Sequence, residues 1–451
     1  MHFKPANIRI ALLAAVLVSC FLVAAGMAQV PNVSPGTSAA TYVDQVAGFT
    51  EDKAVALAIE NNGELQALRK EVDASRSMVK QAGLRPNPKV SFDGTKQIGG
   101  KDNMQTAGAM LPLELGGRRG ARIAVAQREF EAHEFEFANQ ERLLAANVRL
   151  KFGEALAVAF KLEVTEKTLT AAKEGYELVT ARVAEGKIAP LEQNIFLVEV
   201  NRLQSVREMA EGNVEAAMLE LRNMIGMRPE EPLRLKGMFT DLIATLPPLS
   251  DSTANAIRDR PDLKGARTVE QLALARIEQA RSDGRLDASL KGGFQRNEMG
   301  FPVSGFDANG FLSPVHSVFN AFTFGIEIDL PVRNRNQGAI EAAMFERDAA
   351  RRRAEFGELS IRRDVATAFA RYNRSARSLS IFQNGVRDQA NANLQVIWQT
   401  YELGARSLLD YINEERRFLD VENELIDAKF EASAARIEIL KATAAPELTK
   451  K

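Results

Sequence analysis

Residue types that could carry out catalysis or hold a metal are few in this chain, and they are far apart. Cys20 is the sole cysteine, and the histidines are His2, His133 and His316. A zinc site needs three or four such ligands brought together, so the sequence offers no ligand set. It also contains no glycine-rich phosphate loop and no nucleophile motif. We therefore predict that the protein is not an enzyme, has no cofactor and holds no metal.

Charged residues are abundant but balanced. Lysine and arginine number 58 and aspartate and glutamate 59, so there is no net field that would attract a polyanion. Neighbouring carboxylates such as Glu414 and Glu415 fall on a charged helical face, where contact with solvent is the default interpretation. We expect no nucleic-acid partner.

The N-terminus has the features of a secretory signal. An apolar run at residues 10–25 follows two basic residues and ends in Gly-Met-Ala, a pattern typical of a cleavage site. We predict a signal peptide at residues 1–28. The alternative is lipoprotein processing at the Leu-Val-Ser-Cys sequence, with lipidation of Cys20. Beyond this segment no stretch has the roughly 20 apolar residues of a spanning helix, so a membrane crossing would need strands.

The rest of the chain repeats one pattern twice, at a period of roughly 200 residues. Each copy has a helical stretch, strand-like segments, a Leu-Pro step and a very long helical run broken once, at a glycine. The Leu-Pro steps are Leu111-Pro112 and Leu330-Pro331. These landmarks predict a first repeat at 29–226, an equatorial linker at 227–250, a second repeat at 251–445 and a C-terminal tail at 446–451.

The helical runs are unusually long. Residues 118–185 contain no proline and are rich in Ala, Glu, Leu, Arg and Lys, which favours a helix of about 100 Å. Apolar or small residues recur every seven positions from Val148 to Val183, and such heptads indicate coiled-coil packing. Gly186 and Gly404 are the predicted tips of two helical hairpins, because glycine commonly ends a helix. The repeat places both tips at the same end of the molecule.

Segments of alternating polarity lie between the helical parts and predict two β-hairpins. The clearest alternates Phe322, Phe324 and Ile326 with polar or small residues. Each predicted strand has about the 9 to 11 residues that cross a bilayer at a tilt. Residues 297–320, which contain several glycines and prolines, are predicted as a long irregular loop, either extracellular or disordered. For any single strand, a half-buried sheet on a soluble core is the alternative.

Four strands in one chain cannot close a membrane barrel, because single-chain barrels start at eight strands and an open edge in lipid leaves backbone groups unpaired. A trimer would supply twelve. The predicted fold is therefore mainly α with a membrane β part. Long coiled-coil hairpins form an α-barrel, and four strands per chain contribute to a trimeric twelve-stranded transmembrane β-barrel.

Three motifs, in this order, resemble the TolC family of outer-membrane efflux channels. They are Gly-Leu-Arg-Pro-Asn-Pro before the first strand, Leu-Glu-Leu-Gly-Gly-Arg-Arg entering the long helix, and Leu-Pro-Val-Arg-Asn-Arg-Asn-Gln-Gly in the second half, at residues 83–88, 113–119 and 330–338. The likeness covers roughly residues 50–445. The first two motifs are more similar to the CzcC-like heavy-metal branch than to the drug-exporting one.

The resemblance implies a passive exit duct across the outer membrane and periplasm. It implies a homotrimer in outer-membrane lipid that docks onto a periplasmic adaptor, or membrane fusion protein, and an inner-membrane transporter of the expected RND type. Divalent heavy-metal cations are one candidate cargo, since the sequence does not specify what passes through a wide water-filled tube.

In this family, acidic side chains narrow the periplasmic entrance just after the second tip glycine. By position, the resemblance implies a gate at Asp410, Asn413 and Glu414. Asn413 departs from the family pattern, which has an acidic residue there, and the adjacent Glu414 is the residue that would compensate. It also implies that Tyr401 and Arg406 tether the gate. Three copies of Asp410 on one axis would attract cations. Taken alone, Asp410 is explained by a helix start, where the helix dipole favours a carboxylate.

Two other classes of protein fit part of the pattern. A periplasmic adaptor also has a coiled-coil hairpin, but it would have one hairpin, whereas this chain has two. A structural coiled-coil scaffold of an envelope complex would not need alternating strands or a tandem copy of them. Both remain alternatives to the channel at the level of sequence.

Overall fold

The computed structural model describes residues 39–100, 102–239 and 248–449. The predicted signal peptide and Cys20 lie outside the described residues. In chain order the elements are α1 (Ala39–Tyr42), α2 (Glu51–Asn61), α3 (Gly63–Ala82), β1 (Lys89–Lys96), β2 (Asn103–Pro112), α4 (Arg118–Ala184), α5 (Pro190–Met224), α6 (Leu249–Asp259), α7 (Pro261–Asp283), β3 (Asp287–Phe306), β4 (Leu312–Asp329), α8 (Gln337–Ile381), a π-helical turn (Phe382–Val386), α9 (Arg387–Glu402), α10 (Leu408–Thr443) and a 3₁₀ turn (Pro446–Thr449).

The first long helix is continuous. Helix α4 has 67 residues, which is about 100 Å at 1.5 Å per residue. Its heptad positions Val148, Ala155 and Leu162 are fully buried, because α5 packs antiparallel along it while α3, α7 and α10 cover other faces. The long helix and its coiled-coil packing are therefore confirmed, and alanine in the seam lets neighbouring helices approach closely.

The second long run has an interruption that we did not predict. The sequence predicts one break, at Gly404, but the helix also stops at Ile381 and continues as α9 after the π-helical turn. Asn384 has φ −95° and ψ 19° there, outside the helical range, and its Nδ2 donates to Ser380 Oγ at 3.0 Å. Asparagine and the following Gly385 both have low helix propensity, and the asparagine side chain finds a local partner.

The four strands form one antiparallel sheet in the order β1-β2-β3-β4. The two predicted hairpins are confirmed, and β2 also pairs with β3, from Asn103 opposite Glu298 to Pro112 opposite Ser289. Apolar side chains on β4 are highly exposed in the single chain: Phe322 is 74% exposed, Phe324 83% and Ile326 65%. An apolar face of this size marks a surface that is covered by something other than water.

The second β-hairpin is longer than predicted. Strands β3 and β4 have 20 and 18 residues, so the predicted irregular loop at 297–320 is wrong for most of its length. The turn itself spans only residues 307–311. The register shifts between Gly300 and Ser304, and Pro302 falls within that shift, where its missing N–H removes no ladder bond. Glycine and proline masked the alternation there.

Three distant segments meet beside the middle of α4. Leu235 forms β-bridges with Val43 and Phe49, and Leu235 is fully buried. Arg149 of α4 donates from Nε to the Leu448 carbonyl at 3.0 Å and forms ion pairs with the acidic start of α2. The start of the described chain, the linker and the C-terminal tail are thus held in one region.

No helix in the described ranges is both long and apolar enough to cross a membrane.

Candidate functional site at the hairpin tips

Both helical hairpins turn through the same backbone arrangement. Gly186 has φ 72° and Gly404 has φ 73°, a conformation that glycine adopts without steric cost. In the first tip the Lys187 N–H donates to the Arg182 carbonyl, and in the second the Ala405 N–H donates to the Thr400 carbonyl. These bonds satisfy carbonyl groups that a helix end would leave unpaired.

The returning helices start differently. Helix α5 begins with Pro190, whose missing N–H costs nothing at that position. Helix α10 begins with a capping box: Ser407 Oγ accepts from the Asp410 N–H, and Asp410 Oδ2 accepts from the Ser407 N–H, both at 3.2 Å. Hydrogen bonds from the side chain and then the backbone of Ser407 lower the pKa of Asp410, so this carboxylate is ionised and fixed at the tip.

The two tips touch. Tyr401 Oη donates to Glu192 Oε2 at 3.0 Å, and Arg182 lies 3.8 Å from Glu402. Burial and then the bond to Glu192 raise the pKa of Tyr401 to about 12, so its hydroxyl remains a donor at any physiological pH. Each contact joins the first hairpin to the second. The prediction that both tips lie at the same end of the molecule is confirmed.

An apolar cluster lies directly behind these contacts and receives side chains from both hairpins. The Trp398 and Tyr411 rings are 4.7 Å apart, and Tyr411 lies 6.2 Å from Phe196. A Cβ on Gly175 would stand 2.7 Å from Phe196 Cζ, so any larger residue would force this buried ring to shift between α4 and α5. We call this the tip cluster; its buried members are Leu169, Ala172, Val179, Phe196, Val200, Leu203, Tyr401, Leu408, Tyr411, Ile412 and Leu419.

Two carboxylates are buried at the inner edge of the tip cluster. Glu199 of α5 accepts from Arg202 at 2.6 Å and from Arg416 of α10. Burial opposes ionisation, but these bonds outweigh it and lower the pKa of Glu199. The pair with Arg202 lies within α5, and the pair with Arg416 joins α5 to α10 across the two hairpins.

Glu415 corrects an expectation from the sequence, because it is buried rather than solvated. Its exposed fraction is 3%; Oε1 accepts from Tyr411 Oη at 3.2 Å, and Oε2 has no partner among the described residues. Burial, and in addition repulsion by Glu199, raises the pKa of Glu415 to about 7. The signal that could have found it is position: Glu415 follows Tyr411 and Ile412 by four and three residues, which puts it on their buried face.

The other residues implied as a gate are more exposed. Asn413 and Arg406 are exposed, and Glu414 is half-buried with Arg417 at 3.5 Å. The structure therefore brings Asp410, Asn413 and Glu414 to the first turns of α10, while Tyr401 lies on the other side of the turn. Within one chain they form a row along the tip.

Metal ligands are sparse in the described part of the chain. No group of three or more histidine, cysteine, aspartate or glutamate side chains is placed to hold an ion there. His133 Nδ1 lies 3.6 Å from Glu136, a pair within one helix. What the site offers instead is a set of acidic and aromatic groups near the hairpin tips, fixed by separate hydrogen bonds.

A match to a protein family identifies the class of this protein. The model of the outer membrane efflux protein family matches residues 54–227 and 253–445, which is most of both predicted repeats. The chain belongs to this family. It is an outer-membrane efflux channel with a periplasmic extension and not an enzyme, and the adaptor and scaffold alternatives are wrong.

Particular relatives come from metal resistance systems. The chain is 25% identical over 82% of its length to the cobalt-zinc-cadmium resistance protein CzcC of Cupriavidus metallidurans, covering 83% of that protein. It is 23% identical over 58% of its length to the nickel-cobalt-cadmium resistance protein NccC of Alcaligenes xylosoxydans xylosoxydans, covering 55% of that protein. The likeness to a CzcC-like sequence is thus confirmed.

Solved structures share the fold. The structure of CusC, described as forming a transmembrane channel, superposes with a TM-score of 0.72 at 18% identity, covering 91% of this chain and 94% of that one. The outer-membrane channel MtrE of Neisseria gonorrhoeae gives 0.69 at 18% identity, with 89% of each chain covered. At this identity the likeness establishes the fold, mainly α with a four-stranded sheet, as predicted.

Proposed function

We propose that three copies of this chain assemble into one passive duct that carries divalent metal cations out of the cell. The observation that carries the proposal is the sheet: β1 and β4 are its two outer strands, and their apolar side chains are exposed in the single chain. Open edges in lipid leave backbone groups unpaired, each at a cost of several kcal/mol, so edges must pair between chains.

The number of copies follows from strand arithmetic. Four strands are too few for a barrel, and known single-chain outer-membrane barrels begin at eight. Three chains give twelve strands, and the α4–α5 and α8–α10 hairpins of each chain would continue the wall as an α-barrel. The length of α4, 67 residues or about 100 Å, suits a tube that reaches deep into the periplasm.

The hairpin tips are the proposed entrance and docking end. A periplasmic adaptor and an inner-membrane transporter of the RND type would meet the channel there. Asp410, Asn413 and Glu414 would line the opening of the trimer, and Tyr401 with Arg406 would hold the second hairpin in place. Supporting this, the Asp410 carboxylate is ionised and fixed by its capping box, and Tyr401 bridges the two hairpins.

The cargo is proposed from the relatives. CzcC and NccC are named as resistance proteins for cobalt, zinc, cadmium and nickel. Rings of carboxylates attract cations at a pore entrance without holding them tightly, which suits a duct. The transporter, rather than this chain, would select the ion.

The assembly is tested by the mass of the protein purified from outer membranes in mild detergent. Light scattering should give three chains per particle, and circular dichroism should show both helix and strand. A stable monomer with the same strand content would contradict the trimer.

The cargo is tested separately in a deletion strain. Loss of the gene should lower tolerance to cobalt, zinc or cadmium salts, and a plasmid copy should restore it. Unchanged metal tolerance together with lost tolerance to organic toxins would contradict the metal cargo while leaving the channel intact.

A further inference from the structure

A cavity of about 410 Å³ between α4, α8 and α10, beside the start of α7, has an excess of positive charge. Its charged lining contains five basic side chains and two acidic ones. The basic ones are Arg142, Arg260, Arg363, Arg371 and Lys441, and the acidic ones are Asp364 and Glu438.

Each carboxylate around this cavity is already paired with a basic side chain. Both oxygens of Asp262 accept from Arg260, at 3.0 and 2.6 Å. Asp364 accepts from Arg260 through Oδ2 and from Arg363 through Oδ1. Glu438 lies 2.7 Å from Lys441. Counting Asp262, the cavity keeps an excess of about two positive charges, and a divalent anion would balance it.

Of the two buried arginines in this group, Arg142 is the one that forms no ion pair with a described residue. It is 6% exposed, and its terminal nitrogens donate to the Lys441 carbonyl and to Asn139 Oδ1. Its Nε is buried and has no partner in the described part of the chain. Burial, and then repulsion by Arg260, lowers the pKa of Arg142. A buried donor without an acceptor is costly, and an anion oxygen would supply one.

We propose that this cavity binds a free divalent oxyanion of the phosphate class. Guanidinium groups match the oxygens of phosphate as paired donors, and Arg142 and Arg260 are held rigid by burial. Exposed Arg371 on α8 forms no ion pair with a described residue and is available at the rim. The cavity has room for the anion and several waters, each about 30 Å³ in the liquid.

A lipid headgroup is an unsuitable source of this phosphate. Helix α4 starts at Arg118, just after β2, and Arg142 lies about 36 Å further along its axis at 1.5 Å per residue. The site is therefore remote from the sheet. A bound anion would join α4 of the first repeat to α8 and α10 of the second.

The test is equilibrium dialysis of the purified protein in detergent against radiolabelled inorganic phosphate at pH 7.5, with chloride setting a constant ionic strength. We expect about one phosphate per chain. Arg371→Gln should weaken binding about tenfold, because a charge-assisted hydrogen bond is lost. Arg374→Gln, an exposed arginine one turn further along α8 that does not line the cavity, should leave binding unchanged.

A second variant addresses the buried part of the site. Arg142→Gln should abolish phosphate binding. If the Arg142→Gln variant does not fold, the comparison of Arg371→Gln with Arg374→Gln still shows whether the cavity is the binding site. No phosphate bound by the wild type would overturn the proposal, as would equal affinities for wild type and Arg371→Gln. Equal weakening by Arg374→Gln would also overturn it, since it would show only general attraction to positive charge.

Discussion

The two helical hairpins meet in the tip cluster, but they contribute different chemistry to it. From α4 and α5 come close-packed apolar groups, with Gly175 against the ring of Phe196. From α9 and α10 come aromatic side chains with hydroxyl groups, Tyr401 and Tyr411, and the buried carboxylate of Glu415. Both hairpins contribute apolar packing, but the two buried tyrosines of the cluster, with their hydroxyl hydrogen bonds to Glu192 and Glu415, belong to the second.

This difference indicates which half can move. A close-packed contact is lost as soon as the surfaces separate, whereas a net hydrogen bond contributes only about 1 kcal/mol because water replaces it. The outgoing limb of the second hairpin is also interrupted at Phe382–Val386, while α4 runs without a break. We expect opening of the entrance to involve the second hairpin moving on a fixed first hairpin.

The largest expected effect is on the pH dependence of stability, through Glu415. Its pKa is raised to about 7 by burial, against about 4.3 in an unfolded chain. A folded-state pKa above the unfolded value stabilises the protein fully below pH ~4. That contribution, about 4 kcal/mol, is lost as pH rises from about 4 through about 7. Glu415→Gln should remove this loss and make the second hairpin more stable at pH 8 than in the wild type.

The measurement is the thermal unfolding midpoint of the detergent-purified protein between pH 5 and pH 8 at a fixed scan rate. The wild-type midpoint should fall with rising pH more steeply than that of Glu415→Gln. Glu424→Gln, an exposed glutamate on the same helix, should keep the wild-type slope. Parallel curves for all three proteins would show that Glu415 does not titrate in this range.

A smaller effect on stability should test the close packing of the first hairpin. Gly175→Ala places a methyl group 2.7 Å from Phe196 Cζ, and Phe196 is fully buried, so overpacking should cost about 1–3 kcal/mol. Gly212→Ala, on exposed α5 backbone with nothing near the new methyl group, should instead gain up to about 1 kcal/mol from helix propensity.

The two alanine variants should therefore shift the unfolding midpoint in opposite directions. If Gly175→Ala also raises it, the first hairpin has free space at this crossing. The contrast between a rigid first hairpin and a hydrogen-bonded second one would then be wrong.

The sequence predicts the structural features that arise from a repeated pattern, and it does not predict those that depend on a few individual residues. The heptad spacing around Leu162 predicts the coiled-coil packing, and the glycine at position 404 predicts the hairpin tip, because both depend only on local sequence. The break at Asn384 depends on low local helix propensity together with a side-chain hydrogen bond, and the length of β3 depends on pairing that its glycines conceal. For Glu415, charge alone predicts contact with solvent, although its spacing from Ile412 places it on the buried face of α10. Whether Asp410 lines a gate depends on contacts between chains, which one sequence does not contain.

The smallest expected effect concerns the contact between the tips. Tyr401→Phe removes the hydrogen bond to Glu192, 3.0 Å in length. Because Glu192 is only half-buried and can turn to water, the loss should be about 1 kcal/mol, which corresponds to roughly a fivefold larger open fraction. Recordings in planar lipid bilayers should show this as more frequent open events.

The matched control is Tyr176→Phe on the first hairpin. The Tyr176 hydroxyl accepts from Gln193 of the adjoining helix, so this variant loses a hydrogen bond within one hairpin rather than between two. It should leave the open fraction unchanged, because the first hairpin stays fixed. An equal rise in both variants would mean that general loosening, rather than the Tyr401 bridge, governs the entrance. A rise in Tyr176→Phe alone would assign the movement to the first hairpin.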